Sequence, residues 1–167
     1  DRNITINDSI SATTGGITLN GNEVNLNAPL TTPTLSGTAT TVNVGAGGLV
    51  QNGVDVVTSG GTVNLATATY TLTQEVVIND SLTLTGQGAS NTTISGNNST
   101  RVVNISGSGI TVNINDLTIT QGKVSGNGGG IFNSGTVTIT NSTLSSNSAS
   151  GGGGGIFNSG TVTITNS

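Results

Sequence analysis

The sequence contains no cysteine, no histidine and no methionine among its 167 residues. It therefore has no disulfide bond, no thiolate and no imidazole ligand, which removes cysteine- and histidine-based catalysis and most transition-metal sites from consideration. The lack of cysteine also removes the usual sign of export to an oxidising compartment, so that an extracellular location has to be argued from other features.

Charged residues make up 6% of the chain and aromatic residues 2%. The positive residues are Arg2, Arg101 and Lys123, and the formal net charge is −4, so the sequence has no basic surface with which to bind nucleic acid. No apolar run is long enough to cross a bilayer, and we expect no membrane span in this segment. Because the sequence starts at Asp1, without a start methionine or a signal peptide, we expect a mature form or a fragment.

The residues that are abundant, chiefly Gly, Thr, Asn, Ser, Val and Ile, are organised as a repeat. The segment GIFNSGTVTITNS at 130–142 recurs at 155–167, an offset of 25 residues. Within it, Val137 and Ile139 alternate with threonines, which is the period of a half-buried strand. A period in the twenties is typical of one turn of a solenoid. Helix formers do not cluster at helical spacing, so we expect an all-β chain.

A pair of apolar residues separated by one polar residue occurs eight times, which predicts about eight rungs. The pairs are Ile4/Ile6, Val24/Leu26, Val42/Val44, Val63/Leu65, Leu82/Leu84, Val112/Ile114, Val137/Ile139 and Val162/Ile164, at steps of 20, 18, 21, 19, 30, 25 and 25 residues. We expect one solenoid over 1–167, with short coils in 1–60 and longer Gly/Asn/Thr-rich coils in 61–167. The polar stretch 91–100, within the longest step, is interpreted as a loop projecting from a corner.

If these pairs stack with their side chains inside, the residue between the two members of each pair forms an outward column. Its members are all threonine or asparagine: Thr5, Asn25, Asn43, Asn64, Thr83, Asn113, Thr138 and Thr163. We assign Asn113, Thr138 and Thr163 to a candidate interaction surface. Two interpretations stay open, because Thr-x-Thr rows on a solenoid are a known way to bind ice, whereas outward threonine is also ordinary in strands.

Two further features follow from the 25-residue offset. Asp116, Asn141 and Asn166 occupy the same position of successive rungs and predict a ladder of stacked side chains at a turn. Phe132 and Phe157 lie one above the other, and both rings point outward if Ile131 and Ile156 point inward. These rings either form an apolar strip for a partner or a neighbouring fibre, or fold under the adjacent turn. The glycine runs at 128–130 and 151–155 predict turns between strands.

The acidic residues do not form an obvious catalytic group. They are scattered along the chain as Asp1, Asp8, Glu23, Asp55, Glu75, Asp80 and Asp116. Asp55 and Glu75 occupy similar positions of adjacent rungs, but nothing near them completes an acid–base or metal site, so solvated turn residues are the favoured interpretation. Arg101 and Lys123 are interpreted as solubilising charges.

The stretch GGGIFNSGTVTITNSTLSSN resembles the repeats of bacterial polymorphic outer-membrane proteins and of pectate-lyase-like β-helix surface proteins. A later hydrophobic-x-x-Asn motif of those repeats matches Leu144 and Asn147, with leucine where phenylalanine is common. The stretch GGTVNLATATYTLTQEVVINDSLTLTGQG resembles the first coils of such proteins, and about the first forty residues resemble filamentous-haemagglutinin-type coils. The resemblance implies a right-handed parallel β-helix and secretion across a bacterial envelope. It transfers no site residue, because pectate lyases and polygalacturonases cluster carboxylates that are dispersed here.

We therefore expect a non-enzymatic structural or adhesive protein, with no catalytic residue, no cofactor and no metal ion. Its expected location is extracellular or on the bacterial cell surface. A carbohydrate-binding or polysaccharide-degrading β-helix is the alternative, and an ice-binding solenoid is a more remote one. Expected partners are surface glycans, other cell-surface proteins and further copies of the chain. Because no cap follows the last repeat, we expect end-to-end association into a fibre, or a longer fibrous protein.

Overall fold

A computed structural model describes residues 2–167, and Asp1 lies outside the described residues. Most of this range is short β-strands, with one helix among them. The elements of the first part of the chain are β1 (Asn3–Ile6), β2 (Ile10–Ser11), β3 (Gly16–Leu19), β4 (Glu23–Leu26), β5 (Leu30–Thr31), β6 (Thr34–Gly37), β7 (Ala39–Val44), α1 (Val50–Val56), β8 (Val57–Leu65), β9 (Ala68–Thr71) and β10 (Val76–Ile78). Those of the second part are β11 (Leu82–Thr85), β12 (Thr92–Ser95), β13 (Val103–Ile105), β14 (Thr111–Asn115), β15 (Thr118–Thr120), β16 (Lys123–Val124), β17 (Ile131–Asn133), β18 (Thr136–Thr140), β19 (Thr143–Ser145), β20 (Ser148–Ala149), β21 (Ile156–Asn158) and β22 (Thr161–Thr165).

The largest sheet of residues 2–167 has eight strands in the order β1-β4-β7-β8-β11-β14-β18-β22. Every pairing in this sheet is parallel and joins one strand to the equivalent strand of the next coil. Each coil therefore advances the chain by one strand spacing, about 4.8 Å. The predicted stack of parallel strands, mainly β in content, is confirmed.

Two four-stranded parallel sheets, β10-β13-β17-β21 and β9-β12-β15-β19, line the other sides of the later coils. Shorter parallel pairs complete the described part of the chain: β2 with β5, β3 with β6, and β16 with β20. The inward side chains of the three larger sheets belong to one hydrophobic core.

Burial agrees with the predicted inward positions in all but the last coil. Val112, Ile114, Val137 and Ile139 have no exposed surface, whereas the intervening Thr138 is partly exposed on the outer side. The expectation that Ile164 is inside is wrong, since its exposed fraction is 52%. Its side chain lies on the inward side of β22, but no further coil of this sequence packs over it.

The predicted register is wrong at one step. β8 pairs with β11 so that Val63 is level with Leu84, not with Leu82, and the step is 21 residues where 19 were expected. The neighbouring pairings, Val42 with Val63 and Leu84 with Ile114, follow the prediction. A shift of two residues keeps every side chain on its own face, so the alternation of apolar and polar residues does not distinguish the two registers.

The expectation of a chain without helix is also wrong, because α1 takes the place of a strand between β5 and β10. Two amide side chains of α1 supply the hydrogen bonds that a strand would make. Asn52 accepts from the backbone N–H of Leu30 at 2.9 Å and donates to its carbonyl at 3.2 Å. On the other side, Gln51 bonds the N–H and C=O of Val77 at 2.8 and 3.2 Å.

The stretch 91–100 is not the single projecting loop that was predicted. Thr92–Ser95 forms β12, which pairs with both β9 and β15, and its Ile94 is fully buried. The extra residues of this coil are instead divided between two corners, 86–91 and 106–110, that are longer than the matching corners of the next coil.

Candidate functional site

The outward face of the eight-stranded sheet carries two columns of small polar side chains. One column is Thr5, Asn25, Asn43, Asn64, Thr85, Asn115, Thr140 and Thr165, and the other is Asn3, Glu23, Thr41, Thr62, Thr83, Asn113, Thr138 and Thr163. The predicted single column is therefore divided at the register shift, with its first four members in one column and its last four in the other. Asn113, Thr138 and Thr163 remain neighbours.

Hydrogen bonds along the first column hold its amides in place. Asn64 Nδ2 donates to Asn43 Oδ1 at 2.9 Å, and Asn43 Nδ2 donates to Asn25 Oδ1 and to Glu23 Oε1, both at 2.8 Å. In the second column Asn113 Nδ2 makes a longer bond, 3.4 Å, to Thr83 Oγ1. Because these amides bond one another, their rotamers are restricted and the face presents a regular array of hydroxyl and amide groups.

Asp116, Asn141 and Asn166 lie at the corner that follows this sheet. All three have left-handed backbones, with φ of 56°, 50° and 51°, a conformation that asparagine and aspartate adopt more readily than other side chains do. Asn141 Nδ2 donates to Asp116 Oδ1 at 3.2 Å, and the backbone N–H of each bonds the following coil. The geometry explains why these residue types recur at the corner.

Phe132 and Phe157 stack on the outer side of the sheet β10-β13-β17-β21. Their ring centroids are 5.4 Å apart and their planes differ by 16°. The neighbouring Ile131 points into the core and is fully buried. Both rings are half-buried, so they present a small apolar strip and also cover the turn beside them.

The Arg101 side chain joins three successive coils at one edge of this strip. Its guanidinium pairs with the Glu75 carboxylate at 2.5 Å and lies 5.2 Å from the centroid of Phe132. It also donates to the carbonyls of Asn127 and Gly128, each at 2.9 Å. The interpretation of Arg101 as a solubilising charge is therefore wrong. The sequence signal was the spacing of Glu75, Arg101 and Asn127, which lie 26 residues apart.

We expect Arg101→Gln to lower the free energy of unfolding by about 2 kcal/mol, because the partly buried Glu75 and two carbonyls lose a charged donor. Glu75→Gln should cost less, since the glutamine oxygen still accepts from Asn104 Nδ2. Chemical denaturation of both single variants and the double variant measures the coupling energy. A coupling near zero would contradict a structural role for the ion pair.

Asp55 and Glu75 do not form a carboxylate pair. Asp55 lies on α1, where its Oδ1 accepts from Gln51 Nε2 at 2.7 Å, while Glu75 bonds Arg101 and Asn104. Partial burial raises the pKa of Asp55 above its ordinary value of 3.8, and the hydrogen bond from Gln51 opposes this shift.

The raised pKa of Asp55 makes a prediction about acid. The folded state binds this proton more tightly than the unfolded state, so the group favours folding increasingly as pH falls through its folded pKa towards 3.8. Asp55→Asn should therefore raise the free energy of unfolding at pH 7, and the gain should shrink as the pH approaches 4. Denaturation curves at several pH values check this. A gain that does not change with pH would show that desolvation of the charge is not the cause.

Two open grooves accompany these surfaces. One, of about 570 Å³, is lined mainly by Asn98, Ser99, Lys123, Ser125, Ser148 and Ser150, and it lies beside the short pair of β16 and β20. The other, of about 430 Å³, has four amide side chains, Asn27, Asn43, Asn64 and Gln87, around the small residues Gly45 and Ala66. Lys123 thus lies in a polar groove, whereas Arg101 is held by an ion pair.

Among residues 2–167, no three side chains of the types Asp, Glu, His or Cys lie together in a way that would hold a metal ion. No helix within this range has the length and apolar character needed to traverse a bilayer. No protein-family model, no curated protein and no solved structure matches the chain.

Proposed function

We propose that this chain is a right-handed parallel β-helix that acts as a rigid, non-enzymatic scaffold or adhesive element at a bacterial surface. The right hand is the one adopted by nearly all connections between parallel strands of one sheet. The surface location and the adhesive role rest on the resemblance of the repeats to bacterial surface proteins. The observation that carries the proposal is the outward face of the eight-stranded sheet, with its two polar columns.

The stack is suited to a mechanical role, because each coil is held by its neighbours through several kinds of contact. Parallel backbone ladders, the aliphatic core, the amide bonds of the outward column and the Arg101 ion pair all run along the axis of stacking. In such a repeat architecture, stability accumulates from contacts between neighbouring coils.

The outward face is also suited to adhesion. It consists almost entirely of hydroxyl and amide groups at the spacing of the strands, with Glu23 as the charged member of the two columns. Such groups exchange hydrogen bonds with hydroxyl-rich or hydrated surfaces, and they lose less free energy on partial desolvation than charged groups do.

Carbohydrate binding is a second candidate, favoured by the amide-lined groove around Gly45 and Ala66. Amide side chains donate and accept hydrogen bonds at once, which matches the hydroxyl groups of a glycan. In this case the groove, and not the flat face, would be the site. Asn64→Ala and Gln87→Ala would then abolish binding on a glycan array.

Display of the chain on a bacterium that lacks its own adhesins tests the proposal. We expect more cells to attach to a solid surface than cells that display a scrambled sequence of the same composition. Replacing Thr138 and Thr163 by glutamate should reduce attachment without unfolding the chain, because both side chains point outward. Unchanged attachment by this variant would contradict adhesion through the face. Release of unsaturated products from acidic polysaccharides would contradict the non-enzymatic assignment.

A further inference from the structure

The last two coils of the sequence have the same residues and contact each other position by position. We call residues 130–142 coil 7 and residues 155–167 coil 8. Ile131 is level with Ile156, Val137 with Val162, and Ile139 with Ile164. The surface of coil 7 that binds coil 8 is therefore made of the same groups that coil 8 presents on its own outer side.

An asparagine gives this interface its specificity. Asn133 lies in the inward column where the two preceding coils have Ile78 and Ile105, and it is fully buried. Its Nδ2 donates to Asn158 Oδ1 at 2.7 Å, to the Thr161 carbonyl at 3.0 Å and to the Gly135 carbonyl at 3.0 Å. Coil 8 thus satisfies a buried amide of coil 7 through an oxygen of its own asparagine.

Asn158 already has the local arrangement of Asn133. Its Oδ1 accepts from the N–H of Gly160 at 3.2 Å and its Nδ2 donates to the Gly160 carbonyl at 3.0 Å, as Asn133 does with Gly135. The difference is exposure, because Asn133 is covered by coil 8 whereas Asn158 is exposed. Phe157, Val162 and Ile164 likewise repeat the groups of coil 7 without a coil over them.

We propose that the outer face of coil 8, formed by Phe157, Asn158, Val162 and Ile164, is a docking surface for a polypeptide coil with the repeat sequence GIFNSGTVTITNS. This inference rests on the proposed stack and names the partner that extends it. The bound coil stacks a phenylalanine on Phe157, covers Val162 and Ile164 with its own valine and isoleucine, and accepts from Asn158 Nδ2 through its asparagine. A coil with an aliphatic residue at that position leaves this amide buried without its acceptor, which disfavours it.

The test appends one further copy of residues 143–167 to the full chain, so that the added coil is present at a high effective concentration. Amide exchange and methyl solvent accessibility are measured by NMR in the parent and in the extended chain. We expect the coil 8 amides that gain an acceptor to exchange at least tenfold more slowly. We also expect the Ile164 methyl groups to become as inaccessible as those of Ile139.

A matched control carries Asn158→Leu in the appended copy only, which leaves the parent residues intact. We expect it to lose most of the gain in exchange protection. The inference is overturned if the appended copy leaves coil 8 unchanged, and the role of the asparagine is overturned if the leucine version protects coil 8 equally well. Free exchange of the Val112 and Val137 amides in the parent chain would instead contradict the proposed stack itself.

Discussion

Ile114→Ala is expected to lower the free energy of unfolding by about 2–5 kcal/mol, because it removes buried methyl groups and leaves a cavity between neighbouring coils. Ile114 has no exposed surface and is level with Leu84 on one side and Ile139 on the other. Neither neighbour can fill the space without leaving its own ladder position. Equilibrium denaturation in urea measures the loss.

Two control variants separate the core from the strand as a whole. Asn113→Thr changes the adjacent outward residue to the other type found in that column, and we expect a change within about 0.5 kcal/mol. Ile164→Ala removes the same groups from coil 8, where 52% of the side chain is exposed, and should cost much less than Ile114→Ala. Equal costs for Ile114→Ala and Ile164→Ala would contradict the assignment of the core.

Gly122→Ala is expected to lower the free energy of unfolding by about 3 kcal/mol, because two backbone segments meet at this residue. A Cβ atom at Gly122 would lie 2.0 Å from the carbonyl oxygen of Gly129 and 2.9 Å from Asn147 Oδ1. The first contact is with backbone, which a change of rotamer cannot relieve, so the coils must separate locally. Thermal or urea denaturation measures the effect.

Gly126→Ala is the matched control, since it lies in the same connection and no atom comes within 4 Å of a Cβ atom placed there. We expect it to leave stability within about 0.5 kcal/mol. If the two alanine variants were equally stable, the close approach of Gly122 to the next coil would be refuted.

The repeat predicted the later coils well because its period and its alternation are both explicit in the residues. An unchanged segment at a 25-residue offset requires equivalent positions, and the pairings of β14, β18 and β22 follow it. The register between β8 and β11 was not predictable in this way, since Gly61-Thr62-Val63 and Leu82-Thr83-Leu84 can be aligned in two ways that both keep threonine outside.

The helix and the Arg101 cluster depend on contacts that a linear pattern does not show. α1 contains Asn52 and Gly53, which are poor helix formers, but Gly53 allows close packing on Val44 and Val63, and Asn52 bonds the edge of β5. The spacing of Val50, Gly53, Val54 and Val57 is a helical signal in retrospect. The contacts of Arg101 became visible only once the coils were placed in register.

Disulfide cross-linking of engineered cysteines tests the stack and its register most directly, because the sequence has no cysteine of its own. In the structure Asn64 is level with Thr85, and Thr83 is level with Thr62. Neighbours on adjacent strands lie about 5 Å apart, within disulfide reach, whereas residues offset by two along the strand lie about 8 Å apart, beyond it. Under mild oxidation, Asn64→Cys/Thr85→Cys should form its disulfide in the folded chain and Asn64→Cys/Thr83→Cys should not. Efficient cross-linking of the second pair would contradict the register, and failure of both pairs would contradict the stacking of these coils.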